Sequence, residues 1–211
     1  MIYNIYEYED KLWSEGFEFI AGCDEVGRGP MAGPVVVASV ILDKNDRIEG
    51  LNDSKKLTAK RREELASIIK ERAIDYSITY IDVREVDNIN VYAASKKGMM
   101  ECVKKLKKVD YVLTDCMPLD LEVPVLSIVK GDSKSASIAA ASIIAKVERD
   151  NYMVELSKEY PMYGFDKHKG YVTKAHLEAI EKYGVCKHHR ISFAPVKKIY
   201  EKNNCTFKVE K

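Results

Sequence analysis

Apolar runs of strand length alternate along the chain with segments whose apolar residues recur at helical spacing. The runs predict β-strands at residues 18–24, 33–42, 74–81, 111–113 and 125–129. Helical spacing predicts helices at residues 59–72, 91–107, 135–157 and 173–183, the first of them capped by Thr58. This order predicts an α/β protein with a mixed sheet flanked by helices.

Length and composition are those of an ordinary soluble domain, with 211 residues, of which 46% are hydrophobic and 32% charged. No apolar run approaches the roughly 18 residues that a membrane-spanning helix needs. The acidic N-terminus lacks the cationic segment of a signal peptide, so a cytoplasmic protein is expected. Five cysteines without a Cys-x-x-Cys pair predict free thiols in a reducing compartment and argue against a zinc site.

The net charge of +1 hides an asymmetry along the chain. Residues 161–211 contain 11 Lys and Arg against 5 Asp and Glu, so this region carries about +6 and the rest about −5. All four histidines lie in the same basic region. A basic segment beside an acidic body suits a protein that grips a phosphate backbone next to a metal site. A solvated, lysine-rich surface is the alternative.

One stretch, Asp24-Glu25-Val26-Gly27-Arg28-Gly29, combines three kinds of chemistry. Two carboxylates stand where the first predicted strand ends, and carboxylates hold hard metal ions. The glycines let main chain approach a ligand, and the arginine between them can grip phosphate in fork geometry. The stretch therefore predicts metal-assisted phosphoryl chemistry on a polyanion, with an ordinary tight turn as the alternative.

Further acids stand at similar junctions. Asp115 ends the fourth predicted strand, and Asp132 follows Lys130-Gly131 just before the long helix, where the helix dipole favours an acid. Acids at one edge of a sheet can converge, and converging carboxylates repel one another unless a cation intervenes. One or two Mg²⁺ or Mn²⁺ ions would relieve that repulsion, and two could clamp a phosphodiester. The alternative is that Asp115 is a loop acid and Asp132 a helix cap.

The chain as a whole resembles ribonuclease HII, the type 2 RNase H family. The resemblance begins at Gly22-Cys23 and continues through the acidic, glycine-rich stretch into Pro30-Met31-Ala32-Gly33-Pro34-Val35-Val36. The other matching blocks follow in family order: Leu51-Asn52-Asp53-Ser54-Lys55-Lys56-Leu57, Leu113-Thr114-Asp115, Lys130-Gly131-Asp132-Ser133, residues 137–147, Tyr163-Gly164-Phe165 and His168-Lys169-Gly170-Tyr171. The short segment before Asp24 and the presence of Arg28 favour this family over its sister, ribonuclease HIII.

The resemblance implies an RNase H-like fold, with a catalytic core at residues 1–160 and a helical substrate-binding extension at 161–211, packed as one compact unit. It implies an endonuclease that hydrolyses RNA in RNA–DNA hybrids and cuts 5′ of single ribonucleotides in duplex DNA. The family's products are 5′-phosphate and 3′-hydroxyl ends. A monomer is expected, with nucleic acid as its partner and no membrane association.

The resemblance also implies roles for individual residues. The catalytic, metal-binding acids correspond to Asp24, Glu25, Asp115 and Asp132, which are expected to hold two Mn²⁺ or Mg²⁺ ions with substrate bound. Gly27-Arg28-Gly29 matches the loop that reads the ribose 2′-hydroxyl. Tyr171 matches the tyrosine that packs on the sugar beyond it, with a buried core tyrosine as the alternative.

The remaining assignments concern further substrate contacts and the histidines. Candidate contacts to the substrate are Lys55, Lys56, Lys130, Ser133 and Lys146, with solvated surface lysines as the alternative. His168 is expected to be a structural loop residue, and His188-His189 to lie at the surface. Two rival functions remain open: a metal-dependent DNA nuclease or phosphatase that needs no ribonucleotide, and a catalytically silent protein that binds hybrids.

Overall fold

The structure, a computed structural model, describes residues 4–206 and the side chains of residues 4–202. Its helices are α1 (Glu7–Ser14), α2 (Ala59–Arg72), α3 (Val83–Ile89), α4 (Val91–Lys105), α5 (Ala136–Glu159), α6 (Phe165–His168), α7 (Lys174–Tyr183) and α8 (Ala194–Thr206). Its strands are β1 (Ile20–Val26), β2 (Val35–Ile41), β3 (Asp75–Ile81), β4 (Tyr111–Asp115) and β5 (Val125–Ile128). Within the described residues, no helix has the length and apolarity needed to cross a membrane.

The strands form a five-stranded sheet in the order β3-β2-β1-β4-β5. β1 runs antiparallel to β2 and parallel to β4, and β4 runs parallel to β5. The C-terminal ends of β1, β4 and β5 therefore lie at the same edge of the sheet. The mixed sheet, its flanking helices and the helical C-terminal region confirm the predicted fold class.

Residue contacts divide the chain into two compact units. The first comprises the chain up to Val26 together with Val36–Tyr80 and Ser95–Glu148, and the second comprises Gly27–Val35, Ile81–Ala94 and the chain from Arg149 onward. The second unit thus begins before residue 160 and gathers two short upstream segments, because hydrogen bonds tie those segments to the C-terminal residues. The assignment of catalysis to residues 1–160 and substrate binding to 161–211 stays a prediction.

In the first unit, the core forms where α5 packs against the sheet. Its buried alanines, such as Ala140, lie in one apolar cluster with Val36 of β2 and Leu65 of α2. A Cβ atom on Gly22 of β1 would lie 2.1 Å from the carbonyl carbon of Ser137, so only glycine fits there. This close approach holds β1 against the first turn of α5.

The first turn of α5 is also held by Glu9 of α1, whose side chain is fully buried. Glu9 Oε1 accepts hydrogen bonds from the Ser135 hydroxyl and from the Ser137 N–H, the latter at 2.9 Å. Ser135 Oγ in turn accepts one from the Ile138 N–H at 3.3 Å. These bonds satisfy N–H groups that a helix leaves without intrahelical partners. They anchor the helix that follows the Asp132 turn.

The second unit has its own apolar core, which includes Met153, Phe165 and Ile180. Main-chain hydrogen bonds of 2.9 Å run from the Met31 N–H to the Gly170 carbonyl and from the Gly33 N–H to the His188 carbonyl. They bind the segment after the glycine-rich turn to the C-terminal part of the chain.

The predicted helix at residues 59–72 is confirmed as α2, and Thr58 caps it by accepting a hydrogen bond from the Arg61 N–H at 3.2 Å. The predicted strands are confirmed to within a few residues. The sequence pattern missed α1, α3 and α6, which span 8, 7 and 4 residues and display too few turns to establish a helical repeat. It also missed α8, of 13 residues, as a separate element of the predicted helical extension.

Candidate active site

Parallel pairing of β1 with β4 brings two of the predicted acids together where that pairing ends, although β1 itself continues to Val26. Cys23 pairs with Thr114 in this register, so Asp24 and Asp115 come next on adjacent strands. The Asp24 side chain is buried, and its Oδ1 accepts a hydrogen bond from the Glu25 N–H at 2.7 Å. The sheet thus places these acids at one edge although they are far apart in sequence.

Asp132 joins this group through the turn that follows β5. The turn is a 3₁₀ segment, Gly131–Ser133, and the Gly131 N–H donates to Asp115 Oδ1 at 2.7 Å. A Cβ atom on Gly131 would lie 2.6 Å from Ile138 Cδ1 and 3.4 Å from Asp115 Cα, so the glycine allows the close approach. The turn is therefore fixed to the carboxylate next to it.

The electrostatics of the group are those of crowded acids. Burial raises the pKa of Asp24 well above its usual range, and the charges of Glu25 and Asp115 raise it further. Burial also raises the pKa of Asp132, helped by the charges of Asp115 and Asp53. Folding has therefore placed these carboxylates where their charged forms are disfavoured.

Such a set of oxygen donors fits a hard divalent cation, which would offset the repulsion. Within residues 4–202, no three His, Cys, Asp or Glu side chains already surround a point that could hold an ion. The chemistry of the acids and their mutual repulsion nevertheless fit a metal.

Several of the predicted substrate contacts lie beside these acids in an open depression of the first unit. Its lining includes Asp115, Asp132, Lys55, Lys56, Lys130 and Ser133. Lys55 is 81% exposed, with its Nζ 4.0 Å from Asp132 Oδ2. Lys146 lies on α5 and does not line the depression.

Asp53, which also lines the depression, is an acid whose place in the site the sequence analysis missed. It caps a short turn by accepting a hydrogen bond from the Lys55 N–H at 2.9 Å. Partial burial lowers the pKa of Lys55, but the charges of Asp53 and Asp132 outweigh that effect and raise it. The Asp-Ser-Lys-Lys sequence, an acid followed by two cations, was the available signal.

The two glycines of Gly27-Arg28-Gly29 differ in backbone conformation and in the space available for a side chain. Gly27 has φ +107°, and a Cβ atom there would lie 2.4 Å from Arg149 Nε. Gly29 is exposed, its φ lies outside the left-handed region, and its Cβ would be 3.5 Å from Tyr171 Cε1, an ordinary contact. Backbone conformation and packing therefore explain glycine at 27 and leave glycine at 29 unexplained.

Tyr171 lies in the second unit with its side chain towards this turn. The residue is 43% exposed, which removes the alternative that it is a buried core tyrosine. Its Cε1 atom is the heavy atom nearest to the position of a Gly29 Cβ. An exposed aromatic face beside an exposed glycine main chain is a surface on which a nucleotide could pack.

The expectation that His188-His189 lie at the surface was wrong for His189, which is buried. His176 Nδ1 donates to the Tyr171 carbonyl at 2.9 Å, which leaves its Nε2 as the acceptor facing His189 Nε2 at 3.1 Å. Burial lowers the pKa of His176 to about 4 and that of His189 to about 3. Both rings are neutral at pH 7 and belong to the structure behind Tyr171.

A mixed sheet whose parallel strands end in a group of carboxylates defines an RNase H-like nuclease. A family model described as Ribonuclease HII matches residues 21–196. The chain belongs to the ribonuclease HII family. It is therefore a ribonuclease H, an endonuclease that hydrolyses phosphodiester bonds.

Individual relatives agree with this assignment. Ribonuclease HII from Geobacillus sp. (strain WCH70) is 52% identical over 195 residues, which cover 92% of this chain and 70% of that protein. The crystal structure of ribonuclease H2 from Pyrococcus horikoshii OT3 is 28% identical with a TM-score of 0.75, covering 88% of this chain and 98% of that one. Bst-RNase HIII in complex with Mn²⁺ has a TM-score of 0.67 at 21% identity, covers 88% and 70% of the two chains, and shares the fold.

The crowding of the acids predicts that Asp24→Asn raises the thermal midpoint at neutral pH in the presence of chelator. The change removes a disfavoured charge but keeps an oxygen that can accept the Glu25 N–H. Each kcal/mol relieved should raise the midpoint by about 2–4 °C for a chain of this size. Because the pKa of Asp24 is raised, the wild-type carboxyl becomes neutral in acid, and the difference between the proteins should shrink as the pH falls.

Calorimetry between about pH 4 and pH 8 measures this difference. Asp46→Asn is the matched control, because a hydrogen bond from Arg72 lowers the pKa of that exposed acid. Loss of the Asp46 charge in this variant should leave the thermal midpoint unchanged or lower it. A neutral-pH midpoint below wild type for Asp24→Asn would contradict the repulsion inferred here.

Proposed function

We propose that this protein hydrolyses the RNA strand of RNA–DNA hybrids and cuts 5′ of single ribonucleotides embedded in duplex DNA. The products would carry 5′-phosphate and 3′-hydroxyl ends. The observation that carries the ribose-specific part is Gly29, an exposed glycine that neither backbone conformation nor packing requires. A site that must admit a 2′-hydroxyl close to main-chain amide and carbonyl groups has a reason to exclude a side chain there.

Asp24, Glu25, Asp115 and Asp132 would hold one or two Mg²⁺ or Mn²⁺ ions. When bound, such ions supply an activated water and stabilise charge on the scissile phosphate. The raised pKa values of Asp24 and Asp132 support this role, because a cation removes the penalty on the charged carboxylates.

The chain's own side chains would orient the substrate. Arg28 would grip a phosphate next to the ribonucleotide, and the ring of Tyr171 would stack on the nucleotide that follows it. Lys55, Lys56, Lys130 and Ser133 line the depression beside the acids and would hold further phosphates. Lys146, away from that depression, has weaker support as a contact.

The direct test uses an end-labelled DNA duplex with one embedded ribonucleotide. Cutting on the 5′ side of the ribonucleotide is expected with Mg²⁺ or Mn²⁺ and is expected to stop with chelator, because the carboxylates alone supply no activated water. Asp115→Asn should lose most of the activity while keeping the fold.

Two controls separate the rival functions. An all-DNA duplex of the same sequence should stay intact, and efficient cutting of it would favour the DNA nuclease. Binding of the ribonucleotide duplex without cutting, with either ion, would favour the silent hybrid-binding protein. Cleavage in the presence of chelator would end the metal hypothesis.

The contrast between the glycines gives a second prediction. Gly29→Val should lower cleavage at a single ribonucleotide tenfold or more, roughly the effect of misplacing a substrate by an ångström or less. Its thermal midpoint should change little, because the position is exposed and its Cβ makes only ordinary contact. Rates at a single ribonucleotide and calorimetric midpoints measure the two effects.

Gly27→Ala is the matched comparison, and in this variant we expect the thermal midpoint to change. It puts a Cβ at a positive φ and within 2.4 Å of Arg149 Nε, so its midpoint should fall by several degrees. If Gly29→Val cuts as well as wild type, the turn does not read the ribose as proposed.

A third prediction concerns the stacking face. Stacking of a base on an aromatic side chain is worth about 1–3 kcal/mol, so Tyr171→Ala should reduce single-ribonucleotide cleavage by about 5- to 150-fold. Its midpoint should stay close to wild type, since the residue is exposed. The control is Tyr200→Ala, which removes a tyrosine of α8 that is also 43% exposed, and it should leave cleavage unchanged. Unchanged cleavage by a well-folded Tyr171→Ala protein would remove this residue from the site.

A further inference from the structure

Arg149 is fully buried in α5 and donates three hydrogen bonds to main-chain carbonyl oxygens. Its Nη2 bonds to Ala32 and its Nε to Pro34, each at 3.0 Å, which fixes the segment that follows the glycine-rich turn. Its Nη1 bonds to Lys169 at 3.0 Å, two residues before Tyr171. One planar group therefore ties together the two segments to which the ribonucleotide-reading residues belong.

Other contacts of the same unit converge on this guanidinium. Its central carbon lies 6.0 Å from the centroid of the Tyr171 ring, and Gly27 lacks the Cβ that would collide with it. A Cβ atom on Gly170 would lie 2.4 Å from the Ala32 carbonyl oxygen, so the two segments touch without room for a side chain. The distance between the two segments is therefore set by the hydrogen bonds from their carbonyl groups to Arg149.

Arg190 offers an internal comparison. It is equally buried, and it donates two hydrogen bonds to the Gly33 carbonyl, at 3.0 and 2.7 Å, and one to the Arg28 carbonyl at 3.3 Å. These hydrogen bonds of Arg190 go only to the glycine-rich segment, whereas Arg149 also bonds to the segment before Tyr171. Lysine carries the same charge as either arginine but cannot reproduce a planar fork of donors.

We propose that Arg149 is a positioning residue for substrate specificity: it sets the spacing between the Gly27-Arg28-Gly29 turn and Tyr171, so that both engage one ribonucleotide junction together. The inference rests on the proposed function, because it assigns both elements to the reading of the substrate. It predicts that the contribution of Tyr171 to cleavage depends on Arg149 and not on Arg190.

A double-mutant cycle on single-ribonucleotide cleavage tests this dependence. The proteins are wild type, Arg149→Lys, Tyr171→Ala and the double variant, compared by kcat/KM. Arg149→Lys should lower kcat/KM by about tenfold or more in the wild-type background, as expected for a misplaced contact. In the Tyr171→Ala background, Arg149→Lys should lower kcat/KM by less than about threefold.

Arg190→Lys, measured with and without Tyr171→Ala, is the matched control. It is expected to lower kcat/KM by the same factor in both backgrounds. Thermal midpoints should fall for both arginine variants, so they check folding and do not decide the question. Equal factors for Arg149→Lys in the two backgrounds, or equal coupling for the two arginines, would overturn the inference.

Should Arg149→Lys fail to fold, Arg149→Gln tests the same spacing, because its amide offers two N–H donors in place of the three bonds that the arginine makes. It should likewise lose most of its effect when combined with Tyr171→Ala, and independent factors would again overturn the inference. Failure of the proposed function is distinguishable, because wild type would then not cut at the ribonucleotide or Tyr171→Ala alone would have no effect.

Discussion

Repulsion among buried carboxylates at the ends of parallel strands is the constraint on which the first unit depends. The register of β1 with β4 places Asp24 beside Asp115, and the main-chain bond from Gly131 to Asp115 adds the Asp132 turn. Burial and neighbouring charge both disfavour the ionised forms of Asp24 and Asp132. Interactions elsewhere in the unit must offset that cost, because folded domains have little stability to spare.

The packing of β1 against α5 supplies part of that compensation. Gly22 brings the strand into contact with the backbone of Ser137, and the alanines of α5 bring the helix close to the sheet. Glu9, from a distant part of the chain, accepts from the Ser137 N–H in the first turn of the same helix. Strand, helix and turn are thus fixed relative to one another within this unit, so the acids cannot separate to relieve their repulsion.

Sequence reasoning reached the acids because their signal is local. A carboxylate directly after an apolar run predicts a side chain near a strand end. Asp115 is the last residue of β4, whereas β1 continues two residues past Asp24 to Val26. The α2 helix was predicted with its cap for the same reason, since Thr58 and the spacing of apolar residues are contained in one short segment. The family resemblance extended these local signals to a nuclease fold, which the family model and relatives then showed.

What sequence reasoning missed depends on partners far away in the chain. Arg149 sits among charged residues of α5, so its sequence context indicates a solvated face, and only the fold reveals carbonyl groups around it. His189 looked like half of an exposed pair, but it is buried and donates to His176 of α7. Asp53 entered the sequence analysis only as part of a block that matches the family, and its effect on Asp132 appears only once the two segments meet. The division into two compact units likewise arises from hydrogen bonds between distant segments.

The glycine-rich turn shows why the distinction between fold and function needs coordinates. In sequence, Gly27 and Gly29 carry the same suggestion of close main-chain approach. In the structure, Gly27 has a positive φ, and a Cβ atom there would collide with the guanidinium of Arg149. These two constraints are sufficient to explain glycine at this position. Neither reason applies to Gly29. The proposed close approach of the substrate ribose to this main chain would supply a reason for the missing side chain. An exposed position where the fold would tolerate a Cβ is therefore more informative about substrate than the glycine that the fold requires.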